Sequence, residues 1–141
     1  MTQCREIMKR DIECLSPREP AQAAAERMRD RNIGFLPVCD DSMQVLGTVT
    51  DRDIALRIVA DLLSAGTPVE RVMTREVVAC YPEDDIELAK ELMADHRKSR
   101  IMCVDDDGTL IGVISLSDIA KLEGDGAART LRAVSRREAR H

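Results

Sequence analysis

The sequence predicts an α+β fold: tandem β-α-β-β-α repeats packed about a pseudo-twofold axis. Three observations predict it. The chain matches itself without a gap after a shift of 65 residues, and residues 4–56 fall on 69–121 with 13 identities in 53 columns. Strand-like and helix-like patterns come in the same order in both copies. The core must be aliphatic, because the 141 residues include one Phe, one Tyr and no Trp. One copy alone would leave an apolar sheet face exposed, so two copies are expected to cover each other and to form two related grooves where they meet.

The elements follow in order. In copy one, residues 11–15 read as a short extended segment. Ser16-Pro17-Arg18-Glu19 reads as a helix start, with Ser as cap, Pro in the first turn and Glu as the capping-box return. Ala21, Ala24, Ala25 and Met28 then recur at helical spacing, and Asn32 and Gly34 stop the helix. Residues 36–39 and 45–49 read as strands around an Asp40-Asp41-Ser42 turn. A second helix opens at Thr50 and runs to about Leu63. Copy two repeats this: 77–80 extended, 84–96 helical, 101–104 and 110–114 strands around Asp107-Gly108, and 116–122 helical. The expected divisions are 1–66, 67–123 and a basic tail at 124–141. The tail carries Arg129, Arg132, Arg136, Arg137 and Arg140 against Asp125 and Glu138. Ala127, Leu131 and Val134 would fit a short amphipathic helix, but a frayed, solvated end is the preferred expectation.

Composition excludes several classes. The net charge of -5 argues against a large phosphate-backbone footprint, and the lack of aromatics against a base-stacking platform. Nucleic acid is therefore not an expected partner. The charged N-terminus and the lack of a long apolar run predict no membrane segment and a cytoplasmic location. Cys4, Cys14, Cys39, Cys80 and Cys103 form no C-x-x-C pair and read as small buried hydrophobes in a reducing compartment. No metal set is expected: Asp105-Asp106-Asp107-Gly108 fails as a calcium loop, because an acid would be needed at Cys103. No nucleophile–base pair stands out, so no catalytic residues and no enzymatic activity are expected.

The residues with binding chemistry recur in both copies. Gly47-Thr48-Val49-Thr50-Asp51-Arg52-Asp53 matches Gly112-Val113-Ile114-Ser115-Leu116-Ser117-Asp118. A strand glycine often marks a bulge or the close approach of a ligand or another backbone. Thr50 and Ser115 sit where a strand hands over to a helix, with free N–H groups nearby. Asp53 and Asp118, three residues on, offer a carboxylate suited to a ribose diol. The same Thr-x-x-Asp and Ser-x-x-Asp spacings also fit a helix capping box. The repeated glycine tips the reading toward a ligand.

Ile7-Met8 and Val72-Met73, Pro17 and Pro82, and the two G-h-h-[ST]-x-x-D runs resemble the cystathionine-β-synthase (CBS) domain pair over residues 4–122. The copy-one run Thr50-Asp51-Arg52-Asp53-Ile54-Ala55 is similar to stand-alone bacterial members. The resemblance implies a regulatory, non-enzymatic module that binds AMP, ATP or a related adenosyl compound as regulatory ligand, with no catalytic cofactor. It implies signalling through conformation or oligomerisation, a homodimer and an effector protein. The alternative is an interaction module with vestigial clefts. The resemblance places the adenine slot at Ile12, Ile33, Gly34, Leu36 and Pro37 in copy one. In copy two it places the slot at Val77, Ser99, Ile101 and Met102. Arg52, Lys98 and Arg100 are the candidate phosphate partners. Ser117 stands where copy one has Arg52, so the two grooves are expected to differ.

Overall fold

Each sequence copy gives up its opening segment to the unit built by the other. In the computed structural model, which describes residues 1–123 and 132–135, one unit is Glu13–Val77. The second combines Met1–Ile12 with the chain from Val78 onward. The repeat boundaries and the unit boundaries therefore do not coincide, although the element order is the one the sequence predicts in copy two and, apart from the first strand, in copy one.

In the first unit, α1 spans Ala21–Arg31, β1 Phe35–Cys39, β2 Val45–Thr50 and α2 Asp51–Ile54. The α1 helix begins later than the Ser16 pattern suggests. Glu19 does return to the Ser16 N–H, at 2.7 Å, but Pro20 holds an extended ψ of 152° and delays the first helical residue to Ala21. The helix ends on Asn32 in the left-handed region, φ 53°. The expected first strand is reduced to one parallel bridge, Leu15 to Val38. The second helix departs further from expectation. After α2 it widens into a π-helical turn at Ala55–Val59 and ends in turns, with Leu62 at φ 56°.

In the second unit, β3 is Ala79–Cys80, α3 Ile86–His96, β4 Arg100–Val104, β5 Leu110–Ser115 and α4 Leu116–Glu123. Here the first strand is real. The sheet order is β3-β4-β5, with β3 parallel and β5 antiparallel to β4. The α3 cap is Asp85, which accepts from the Glu87 N–H at 3.1 Å and starts the helix two residues later than expected. Its end again falls on a left-handed residue, Arg97 at φ 54°. The hairpins match as well. Asp40 Oδ1 accepts from the N–H of Ser42 and Gln44, and Asp105 Oδ1 accepts from those of Asp107 and Thr109. Met43 takes φ 64° where Gly108 takes 81°.

Each unit has its own apolar centre. Leu15, Ala24, Met28, Leu36, Val38, Val49, Val69 and Met73 form one cluster. Ile86, Ala89, Met93, Ile101, Ile114 and Ile119 join Cys4, Met8, Cys80, Cys103 and Val134 in the other. Val134 is 4% exposed and lies in a helical stretch at residues 132–135, so this part of the tail is packed rather than solvated. The remaining tail positions of the expected amphipathic helix, Ala127 and Leu131, lie outside the described residues, as do Arg129, Arg136, Arg137, Arg140, Asp125 and Glu138.

The exchanged segments explain the two strand glycines. Residues 48 and 74 pair by mutual N–H to carbonyl bonds of 2.9 and 2.8 Å, and Lys9 and Val113 do the same at 2.9 and 3.0 Å. These pairings lay the methionine of each segment over a glycine. A Cβ on Gly47 would sit 2.5 Å from the Thr74 carbonyl oxygen, and one on Gly112 would sit 2.7 Å from Met8 Sδ. The close approach comes from the protein's own chain, and a β-bulge lies beside each glycine. Gly47→Ala should cost about 1–3 kcal/mol in urea unfolding, the range for overpacking. Gly112→Ala should cost less, because a Met8 side chain can turn aside and the Thr74 backbone cannot. Equal losses would refute this account.

Candidate functional site

The strand-to-helix turn is built the same way twice. The Thr50 N–H donates to Asp53 Oδ2 at 3.0 Å, and the Asp53 N–H donates to Thr50 Oγ1 at 3.1 Å. The Ser115 N–H donates to Asp118 Oδ2 at 3.0 Å, and the Asp118 N–H donates to Ser115 Oγ at 3.2 Å. Both are complete capping boxes with Asp in place of Glu. Both Asp residues are 8% exposed. The capping role is thus present in both copies, and the repeated glycine belongs to chain packing.

The second carboxylate oxygen is held by the exchanged segment. Thr74 Oγ1 donates to Asp53 Oδ1 at 3.2 Å, and the Lys9 ammonium stands 3.5 Å from Asp118 Oδ1. Lys9 and Thr74 occupy the same repeat column, 65 residues apart. Sequence reasoning missed both, although their place directly after Met8 and Met73 was a usable signal. Arg57 adds to the first turn. Its guanidinium donates to the carbonyls of Val72 and Met73 at 2.8 and 3.0 Å and lies 3.8 Å from Asp53 Oδ1. A carboxylate has roughly four acceptor positions, so neither Asp is saturated by these partners. Among the described residues, no buried side-chain nitrogen or oxygen lacks a partner.

The segments expected at the adenine and at the sugar meet in both units. The Asp51 N–H donates to the Gly34 carbonyl at 3.1 Å, and the Leu116 N–H donates to the Ser99 carbonyl at 2.9 Å. Gly34 and Ser99 are again one repeat column. Across the sheets, Phe35 pairs with Thr50 and Arg100 with Ser115, so Arg100 stands beside the second turn. Ile33, Gly34, Thr50, Lys98, Arg100 and Ser115 are half-buried, and Arg52 and Ser99 are exposed. Ser115 Oγ lies 2.8 Å from Ser117 Oγ, a hydroxyl pair that copy one, with Arg52, does not have.

Other expected slot residues lie elsewhere. Leu36 is 0% exposed, Ile101 and Met102 are each 1%, and Pro37 is buried, because β1 and β4 carry the apolar centres. These are packing residues. Ile12, expected beside copy one, falls in the second unit, and Val77, expected beside copy two, falls in the first and is 39% exposed. The segment exchange is the reason, since both lie at the unit boundaries.

Two α+β repeats, each with a capped strand-to-helix turn behind a glycine-bearing strand, define a class of small paired modules. The CBS domain family matches this chain at residues 4–60 and again at 69–125, and the chain belongs to that family as a tandem pair. It is 34% identical over 137 residues to the CBS domain-containing protein YhcV of Bacillus subtilis strain 168, covering 96% of each chain. The crystal structure of Hypoxic Response Protein I with two coordinated zinc ions superposes with a TM-score of 0.79 at 28% identity, over 86% of this chain and 99% of that one. The CBS domain protein PAE2072 of Pyrobaculum aerophilum, complexed with AMP, has the same fold, with a TM-score of 0.78 at 22% identity over 93% and 99% of the two chains. Among the described residues, no group of three or more His, Cys, Asp or Glu side chains is arranged to hold a metal ion. No helix among them is long and apolar enough to cross a membrane.

Removing either cap should destabilise its own helix start. Asp118→Ala should cost about 0.5–2 kcal/mol in urea unfolding. Asp53→Ala should cost at least as much, since Thr74 also loses an acceptor and Arg57 a countercharge. An unchanged midpoint in both variants would remove the capping boxes from the account.

Proposed function

We propose that this chain is a non-enzymatic regulatory module that binds an adenosyl ligand, AMP, ATP or a related compound, beside the turns Thr50–Asp53 and Ser115–Asp118. The observation that carries the reading is the double contact of Gly34 with Asp51 and of Ser99 with Leu116. Each contact sets a half-exposed or exposed backbone segment against a hydroxyl and a carboxylate, as a nucleoside with a base at one end and a ribose at the other requires. PAE2072, which shares the fold, is complexed with AMP. Ile33, Gly34, Thr50 and Asp53 with Arg52 serve the first turn, and Lys98, Ser99, Arg100, Ser115 and Asp118 serve the second. The hydroxyls of Thr50 and Ser115 and the remaining acceptor positions of the two carboxylates take the sugar. Arg52 or Arg100 takes a phosphate. Ligand binding biases a conformational or oligomeric equilibrium, and a homodimer and an effector protein in the cytoplasm read the outcome.

A second reading is an interaction module whose ligand clefts are vestigial. The burial of Asp53 and Asp118 favours it, because their visible partners are all internal.

Thermal unfolding with AMP, ATP and S-adenosylmethionine separates the two. Ligand at 100 times Kd should add about 2.7 kcal/mol of stability. Asp53→Asn with Asp118→Asn keeps a capping oxygen and removes both charges, so it should abolish the shift with little change in the unliganded midpoint. No shift with any adenosyl compound would leave the vestigial reading. A full shift in the double variant would displace the site from these turns.

A further inference from the structure

Cys4, Cys80 and Cys103 come together in the apolar centre of the second unit, each at most 1% exposed. Cys80 and Cys103 are register partners on the parallel strands β3 and β4, with their sulfurs 3.2 Å apart. Cys4 packs in the same cluster as both. The repeat supplies an internal comparison. The columns of Cys4, Cys80 and Cys103 are those of Val69, Leu15 and Val38. Those three aliphatic residues pack in one cluster in the first unit, with Leu15 bridged to Val38 in parallel as Cys80 is to Cys103. The fold is therefore satisfied by Leu and Val at this three-way contact. In the second unit, all three positions are thiols, and they account for three of the chain's five cysteines. Packing alone gives no reason for three separate segments to change to Cys at one point of contact.

We propose that this trithiol is a redox-active modification site, oxidised by a hydroperoxide to a disulfide between Cys80 and Cys103. Cys4 is the entry point. The Cys4 thiolate attacks the peroxide, forming an S–O bond as the O–O bond breaks. The leaving alkoxide or hydroxide takes a proton, and Cys4 becomes a sulfenic acid. The Cys103 sulfur then attacks the Cys4 sulfur, forming an S–S bond and releasing water. The Cys80 sulfur attacks Cys103 in turn, and the Cys4 thiolate leaves. Two thiols are oxidised by two electrons in total, and the peroxide is reduced to alcohol or water.

Three features support the sequence of steps. Hydrogen bonds from Cys103 and Cys80 hold the Cys4 thiol well below its ordinary range, which favours the nucleophilic thiolate. Neighbouring strands lie about 4.7–4.9 Å apart, inside the ~4.4–6.8 Å Cα span that a disulfide accepts. Access comes through the turn that carries Cys4. That turn is tied to the rest of the unit by the bonds of the Cys4 N–H to Asp84 and the Arg5 N–H to Pro82, and local release of those bonds is the opening through which the peroxide would reach Cys4.

The test treats the full chain with hydrogen peroxide at neutral pH. Remaining thiols are then blocked under denaturing conditions, and tryptic peptides are weighed. Peptides 76–90 and 101–121 should appear joined through Cys80 and Cys103, about 2 Da below their sum, and should separate again with dithiothreitol. Cys4→Ser should slow the linkage at least about tenfold. Cys80→Ser should stop the exchange and leave Cys4 joined to Cys103. A triple variant carrying the residues of the other copy, Cys4→Val, Cys80→Leu and Cys103→Val, should fold as judged by circular dichroism and form no linkage here. Oxidation confined to Cys14 and Cys39, or an undiminished rate in Cys4→Ser, would overturn the proposal.

Discussion

The structure depends on a short chain segment lying over a glycine. Met8 over Gly112 and Met73 over Gly47 bring a second backbone within hydrogen-bonding distance of β5 and β2. That approach organises the remainder of each unit. It places Lys9 and Thr74 on the carboxylates that cap the next helix. It also buries Val69 and Cys4 in the apolar centres. In the first unit, Arg57 reinforces it by donating to the carbonyls of Val72 and Met73. A side chain at either glycine would push the segment away from the strand, the cap and the core together.

Much of the fold was legible because duplication registers each element against its counterpart. The strands that form were placed within two residues, the expected one at 11–15 being only a bridge, and the hairpins were read from their Asp-rich turns. Helix starts were read too early because Pro20 and Asp85 are extended residues inside what looks like a capping pattern. The segment exchange was not legible. Self-similarity says that Met8 and Met73 play the same part, but not which sheet each one covers. The same blindness misplaced Ile12 and Val77 and assigned the glycines to a ligand. Leu36 and Met102 were offered to a ligand slot because a buried strand and an apolar pocket wall have the same composition. Val134 was read as solvated because three apolar residues in a basic tail are a weak pattern.

The two turns share a backbone and differ in chemistry. The capping boxes are alike to within 0.1 Å. Around them, the first unit sets Arg52, Arg57 and the Thr74 hydroxyl, and the second sets Ser117, Arg100 and Lys9. Capping and recognition are not competing uses of the same Asp. A carboxylate fixed by backbone N–H groups presents its remaining lone pairs in a defined direction, and the capped hydroxyl is held with it. What differs between the copies is the surrounding charge, and that is where any selectivity between them would arise.

Glu13–Val77 is continuous and sits inside the sequence of the second unit like an insertion. On the ribosome, the first unit has all its residues as soon as Val77 has emerged. The second must wait: the Lys9 backbone finds Val113, and the Cys4 N–H finds Asp84, only after the whole of the first unit has been made. Residues 1–12, made before the first unit, are thus seated only after it, and until then they remain available to chaperones or modifying enzymes.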